Sequence, residues 1–296
     1  MNDQHLIVYK NKHFSKINAN QSPKIIVFDL DETLGSFTLL NVLWSGLNQI
    51  GCDRNSEQSD FNLLLDLYPE FLRYGILSIL DFLYHKKTQG LIEKIYIYTN
   101  NNCSPPWVNL ISNYFNYKLQ STYNLNIDDS PIFDKAICAF KINNKVLEIS
   151  RTTHEKTYSD FINCTLLPKS TEICFIDNTF HKNMVSEKVY YIKPLAYYHH
   201  LHPNTIIQRF LTSNLVSTFN IFDKTSSFQN YLHDWFLSNG VSFDMSYPDG
   251  SYTETDIFVS RKLIYHLCDF IYSNLRKKKT QKRNTRLGKT TRKRLF

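Results

Sequence analysis

What this sequence lacks narrows it first. No stretch of 18 apolar residues runs without a charge, so the sequence predicts no membrane span. The opening residues MNDQHLIVYK carry no apolar signal core. Six cysteines, at 52, 103, 138, 164, 174 and 268, show no CxxC pairing and no zinc-ligand spacing, so reduced thiols in a cytoplasmic or nuclear compartment are expected. No internal repeat is found. Alanine is scarce, 4 residues against 28 Asn, a skew that no fold requires. Acidic residues are missing from one segment altogether: positions 276 to 296 hold 11 Lys or Arg and no Asp or Glu. The formal charge of +7 therefore describes the tail, and the remaining body carries 23 bases against 27 acids.

What is present suits a folded α/β protein. A length of 296 residues with 42% hydrophobic side chains allows a large buried core. Lys24-Ile-Ile-Val-Phe28 and Lys94-Ile-Tyr-Ile-Tyr98 read as buried strands, as does Glu172 to Ile176, with a further short strand over Val189 to Ile192. Helical spacing of apolar residues predicts helices over Leu39 to Ile50, Asn62 to Tyr84, Trp107 to Leu119 and Thr157 to Leu166, with a polar loop over Cys52 to Asp60. Ala136 to Lys141 and Lys145 to Ile149 around Asn143-Asn144 predict a hairpin. Strands alternating with helices argue a parallel sheet covered on both faces. From Thr205 to Leu275 the pattern is mostly helical, with Phe258, Leu263, Leu267, Phe270 and Ile271 on one apolar face.

In such a sheet, ligands bind outside the carboxyl ends of the strands. Asp29 and Asp31, Thr99 and Asn100, and Asp177 and Asn178 each fall just past a predicted strand, so one sheet gathers them at one crevice. Hard oxygen ligands of this kind suit Mg²⁺ together with a phosphate. The bland alternatives are helix caps and turns at each position.

Phe28-Asp-Leu-Asp-Glu-Thr-Leu-Gly35 resembles the first motif, DxDxT, of the haloacid dehalogenase (HAD) superfamily of phosphohydrolases. Its DLDETL form is similar to the branch of RNA polymerase II C-terminal-domain phosphatases and NLI-interacting-factor-like proteins. Ile97-Tyr-Thr-Asn-Asn101 resembles the second motif. Phe71-Leu-Arg-Tyr-Gly75 resembles the RPG segment before it, with Tyr74 in place of Pro. Lys156 resembles the third-motif lysine, and Phe175-Ile-Asp-Asn178 the fourth motif in its DN form. The resemblance covers roughly residues 22 to 195.

The resemblance implies Asp29 as nucleophile through an aspartyl-phosphate, and Asp31 as general acid and then base. It implies Thr99, Asn100 and Lys156 as phosphate-binding groups, and Asp29, Asp31, Asp177 and Asn178 around Mg²⁺. Arg151 and Lys141 compete with Lys156 for its role. His181 either faces the crevice or is a loop residue. The histidines of His199-His-Leu-His202 lack the flanking Cys or carboxylate that would complete a metal site.

The expected organisation is an N-terminal segment (1–21), a HAD-like doubly wound domain with small insertions (22–204), a helical extension (205–275) and a disordered basic tail (276–296). The tail is a solvated extension, a nuclear localisation signal or a sequence-independent nucleic-acid contact. The aromatic excess reads as core, since it is not interleaved with Lys or Arg along the chain. The leading expectation is a Mg²⁺-dependent phosphomonoesterase acting on phosphoserine or phosphothreonine of a protein. A nucleic-acid end phosphatase and a non-catalytic binding protein of the same fold are the alternatives.

Overall fold

The computed structural model describes residues 5–10, 22–50, 57–101, 105–127, 130–219, 226–244 and 252–291. The segments Leu6–Lys10 (β1), Lys24–Phe28 (β2), Lys94–Tyr98 (β3), Lys135–Ile137 (β4), Glu172–Ile176 (β7) and Val189–Pro194 (β8) form one sheet in the order β1-β8-β7-β2-β3-β4. All its pairings are parallel except that of β1 with β8. Every residue of β2 is buried, as a strand covered on both faces requires. Ile26 and Phe28 face the larger core, while Ile25 and Val27 face the smaller one, the period of two made visible. Because β3 pairs with one side of β2 and β7 with the other, the crevice opens past the end of β2.

Helices Thr38–Gln49 (α1), Glu57–Leu67 (α2) and Ile76–Thr88 (α3) lie between β2 and β3, and Pro105–Tyr123 (α4) follows β3. The single helix expected over 62–84 is broken, because Pro69 has no N–H to continue the ladder. Asp60 is helical rather than part of a loop; positions 52–56 and Cys103 lie outside the described residues. Ala136 belongs to β4 of the main sheet. The hairpin is confined to Lys141–Ile142 (β5) and Lys145–Val146 (β6), where Asn143 and Asn144 take φ of 48° and 61°.

Tyr158–Thr165 (α5) covers the smaller core, capped by Thr157, whose hydroxyl accepts from the Asp160 N–H at 3.0 Å. Pro203–Thr212 (α6), Leu215–Thr218 (α7), Ser226–Ser238 (α8) and Glu254–Thr291 (α9) follow β8. Leu263, Leu267, Phe270 and Ile271 of α9 join the larger core, but Phe258 is 37% exposed and lies off that face. The basic stretch expected to be disordered continues α9 as helix to Thr291. Lys and Arg are good helix formers, and extension of an existing helix needs no new nucleus. Positions 292–296 lie outside the described residues. Among the described residues no helix is long and apolar enough to cross a membrane.

Candidate active site

The chain leaves β2 into a tight turn held by backbone bonds from both sides. Asp29 N–H donates to the Ile176 carbonyl at 2.8 Å, Glu32 N–H to that of Gly35 at 2.7 Å, and Ser36 N–H to that of Phe71 at 2.8 Å. A Cβ on Gly35 would collide with the Phe71 carbonyl and the Phe37 ring, so this close approach requires glycine. Arg73, 2% exposed, donates from Nε to the Thr33 carbonyl at 2.6 Å and from Nη2 to those of Glu32 and Leu195. It fixes the turn that carries Asp31. The turn stores strain too, since Glu32 takes φ of 52°.

Asp29, Asp31, Thr99, Asn100, Lys156, Asp177 and Asn178, seven residues from four stretches of chain, line one cavity of about 550 Å³. Lys156 is 2% exposed and stands between two carboxylates, donating to Asp29 Oδ1 and, at 2.7 Å, to Asp177 Oδ2. The rings of Tyr98 and Phe175 flank it at 5.8 and 5.9 Å. Neither competitor reaches these carboxylates. Arg151 is buried and directs Nη1 and Nη2 to the carbonyls of Thr99, Cys138, His154 and Glu155 and to Asn100 Oδ1, while Lys141 lies in the β5–β6 hairpin.

Thr99 Oγ1 accepts the Asn101 N–H at 3.0 Å, which leaves its own proton to donate into the cavity. Asn100 turns its amide oxygen to Arg151 at 2.7 Å, so that side chain braces the loop. Asn101, quoted in the motif but given no role there, donates from its amide to Asp31 Oδ2. Thr33 Oγ1 lies 3.1 Å from Asp29 Oδ2 and accepts the Asn178 N–H at 3.2 Å. His181 lines the cavity, with Nε2 3.3 Å from Asp177 Oδ2. Spacing along the chain does not disclose these contacts; only the closing of the sheet does.

Charge is unbalanced here. Burial, and the carboxylates of Asp177 and Asp31, push the Asp29 carboxyl up to about 7 against the opposing pull of Lys156. Burial raises Asp31 as well, opposed by the Asn101 hydrogen bond and Lys156. Asp177 is held below the usual carboxylate range: burial pushes it up, but Lys156 and His181 outweigh that. Burial pulls the Lys156 ammonium down, and the two aspartates more than reverse it. Three carboxylates against one ammonium leave an excess of two negative charges if all are ionised.

The end group of Asn178 lies 3.1 Å from the Asp31 carbonyl oxygen, 3.3 Å from Asp29 Oδ2 and 2.9 Å from Thr33 Oγ1, all of them acceptors. Without a cation, the amide nitrogen must face them. A cation between Asp29, Asp31 and Asn178 would draw the amide oxygen in instead, and oxygens in adjacent positions of an octahedral Mg²⁺ shell stand about 3 Å apart. The donor set therefore fits Mg²⁺, through one carboxylate, one backbone carbonyl and one amide. Among the described residues no group of three or more His, Cys, Asp or Glu side chains meets at ligand spacing. Asp177 is turned away from this cluster, its Oδ2 on Lys156 and its Oδ1 on the Thr179 N–H at 2.7 Å.

Two histidines of the His199–His202 stretch have structural partners. His199 is buried edge-on against Phe71, and His202 caps α6, its Nδ1 accepting the Asn204 N–H at 3.1 Å. Comparison with protein-family models, curated proteins and solved structures finds no match to this chain.

Proposed function

We propose that the chain is a Mg²⁺-dependent phosphomonoesterase of HAD-like, doubly wound architecture, working through an aspartyl-phosphate on Asp29. The observation that carries this reading is the Lys156 ammonium shared between Asp29 and Asp177, beside an all-oxygen cluster at the end of β2. With Asp31 protonated, Asp29 and Asp177 still outnumber Lys156 by one negative charge, and a phosphate dianion entering the site would be repelled. Mg²⁺ held by Asp29, the Asp31 carbonyl and Asn178 would neutralise that excess and stabilise charge on the phosphoryl oxygens.

The chain's own residues then divide the chemistry. A carboxylate oxygen of Asp29 forms the bond to phosphorus as the ester P–O bond breaks. Asp31 gives its proton to the departing alkoxide, and the elevation of its carboxyl by burial keeps that proton available nearer neutrality. Water next attacks phosphorus, Asp31 takes the proton back, and the bond to Asp29 breaks to free phosphate. Lys156 and the Thr99 hydroxyl hold the phosphoryl oxygens throughout. Asp177 and His181 keep Lys156 in place.

The rim favours a phosphoserine or phosphothreonine protein over a nucleic-acid end. Glu32 lies at the cavity beside Phe37, Thr38, Asn41 and Trp107, and among the described residues neither Lys nor Arg joins Lys156 in the lining. Flanking phosphates of a nucleic acid would meet that carboxylate without compensation. Release of an aryl alcohol from its phosphate should need Mg²⁺ and vanish in Asp29→Asn and in Asp31→Asn. Turnover that survives Asp29→Asn removes the nucleophile and the proposal with it. Comparing a phosphoserine peptide with a 5′-phosphorylated oligonucleotide settles the substrate class, the peptide being turned over faster.

A further inference from the structure

Residues 69–75, between α2 and α3, make one 3₁₀ turn and then an irregular stretch, so most of their carbonyls must find partners outside it. The Phe71 carbonyl accepts the Ser36 N–H at 2.8 Å, and that of Glu70 accepts the Tyr197 hydroxyl at 2.6 Å. Those of Pro69 and Leu72 share the hydroxyl proton of Tyr252, at 3.1 and 3.3 Å. Tyr252 lies 180 residues beyond Leu72 in the chain. The helical extension thus takes direct hold of a segment that belongs to the surroundings of the cavity.

Tyr252 is fixed from its own side as well. The next residue, Thr253, caps α9: its Oγ1 accepts the Asp256 N–H at 3.1 Å, and Asp256 Oδ2 accepts the Thr253 N–H at 2.8 Å, a reciprocal cap that sets the angle at which the chain enters the helix. The Tyr252 ring meets those of Tyr74 at 5.0 Å and Tyr197 at 6.4 Å. The second turn of α9 presses on the same segment. Gly75 takes φ of 72°, and a Cβ there would collide with Ser260 Oγ.

On its other side this segment grips the turn after β2. Arg73 N–H donates to the Leu34 carbonyl at 3.0 Å, while its guanidinium holds the carbonyls of Glu32 and Thr33. The guanidinium lies 5.5 Å over the Tyr197 ring, and the Tyr197 N–H donates to the Glu32 carbonyl at 2.9 Å. Burial pulls the Arg73 guanidinium down to about 10, and Asp256, in the first turn of α9, opposes that pull. Glu32, with φ of 52°, keeps a strained backbone only where its surroundings over-determine it. These bonds supply the restraint, and those of Pro69 and Leu72 trace back to one hydroxyl.

We infer that Tyr252 is a positioning residue for Asp31: its hydroxyl fixes residues 69–72, these fix Arg73, and Arg73 fixes the turn that carries the carboxyl. Tyr252 is not among the residues lining the cavity, so it acts only through this relay. The same turn carries Thr33, whose Oγ1 lies 3.1 Å from Asp29 Oδ2 and accepts the Asn178 N–H, so a shift there reaches both aspartates. The helical extension is then part of what orients the site rather than an appendage to it. The kinetic consequence rests on the phosphatase reading, whereas the structural link does not.

Amide hydrogen exchange on the full chain, together with turnover of an aryl phosphate in Mg²⁺, tests it. Tyr252→Phe keeps the ring and loses the hydroxyl. In this variant the amides of Ser36 and Arg73 should exchange about tenfold faster, the worth of roughly one hydrogen bond. The β2–β3 ladder and residues 263–271 of α9 should keep parental rates. Turnover should show kcat down about tenfold with KM within about twofold, because a small displacement of Asp31 costs orientation rather than binding. Tyr265→Phe, at an exposed ring further along the same helix, should change neither readout. Parental exchange at both amides in Tyr252→Phe, or a parental kcat, overturns the inference. Equal acceleration in the turn and the ladder overturns it too, since the hydroxyl would then be a contact of general stability. A parent chain without turnover removes the phosphatase reading alone, and exchange at Ser36 and Arg73, read without substrate, still decides the link.

Discussion

The ammonium of Lys156 lies 2.7 Å from Asp177 Oδ2 and reaches Asp29 on its other side, so the end of β7 is tied to the end of β2 through one buried cation. Taking one partner from a buried ion pair leaves an uncompensated charge. Lys156→Met should therefore lower unfolding free energy by about 3 kcal/mol as well as abolish turnover. Urea denaturation followed by intrinsic fluorescence checks the first effect. An unchanged midpoint would mean that the two aspartates do not depend on this lysine for their charge.

The oxygen cluster of Asp29, Asp31 and Asn178 should respond to Mg²⁺ even with no substrate present. A ligand that binds only the native state stabilises it by RT ln(1 + [L]/Kd), or about 2.7 kcal/mol at a hundredfold excess over Kd. A thermal melt in EDTA, then with increasing Mg²⁺, should show a rising midpoint in the parent chain. In Asn178→Leu, where the amide ligand is gone, the rise should be much smaller. Equal shifts in both would place the cation elsewhere.

Gly35 is the point at which the turn after β2 touches the chain preceding α3. Its missing side chain leaves space that the Phe71 carbonyl and the Phe37 ring fill. Gly35→Ala must push one of them away, at a cost of about 1–3 kcal/mol for an overpacked site. Because Arg73 ties the same two stretches together, the shift should reach Asp31. The expected kinetic signature is a fall in kcat larger than any change in KM. An alanine variant with parental stability and kcat would show that the turn yields freely.

His199 makes the fold sensitive to acid. Burial, and then the neighbouring His200, pull its imidazole down from 6.5 to about 4, opposed by Glu70, and its Nδ1 accepts the Leu201 N–H at 3.1 Å. Its folded-state pKa lies below the unfolded one, so the native chain binds fewer protons. The stabilisation is complete above pH 6.5 and is lost as pH falls toward 4, on the order of 3 kcal/mol over the window. His199→Asn keeps an acceptor and cannot titrate. Melting midpoints measured from pH 7.5 to 4.5 should fall more steeply in the parent chain than in this variant.

Much of this was legible in the sequence, for physical reasons that also mark where reading stops. The strands β2, β3 and β7 are short β-rich apolar runs, and each is followed at once by its polar pair, so the crevice residues announce themselves. β1 has a similar run, Leu6-Ile-Val-Tyr, but it lies at an edge and pairs antiparallel with β8 far along the chain, a partnership with no local signal. Arg73 and Asn101 act on the turn from distant loops, and only their hydrogen bonds reveal it. Apolar type puts Phe258 on the buried stripe, but its helical angle does not, and it is 37% exposed. Its neighbours at three and seven residues onward, Arg261 and Tyr265, place it with the exposed side.

The grip of Lys24 on α9 is the remaining joint to test. Its Nζ donates to the carbonyls of Phe270 at 2.7 Å and Ile271 at 2.9 Å and to Ser273 Oγ at 3.1 Å, and it stands 3.9 Å from Glu172 Oε2. A methionine of similar length would fill the volume but leave these buried acceptors without the ammonium. Each costs about 1 kcal/mol or more when unsatisfied, so Lys24→Met should destabilise by about 2–4 kcal/mol. The loss should be uneven. Amide hydrogen exchange should quicken most in α9 around residues 263–273, because that helix is held to β2 at this point, while the β2–β3 ladder beside the Asp29–Gly35 turn should keep more of its protection. Equal loss across both would mean that α9 and the sheet open as one cooperative unit, with Lys24 merely one contact among many.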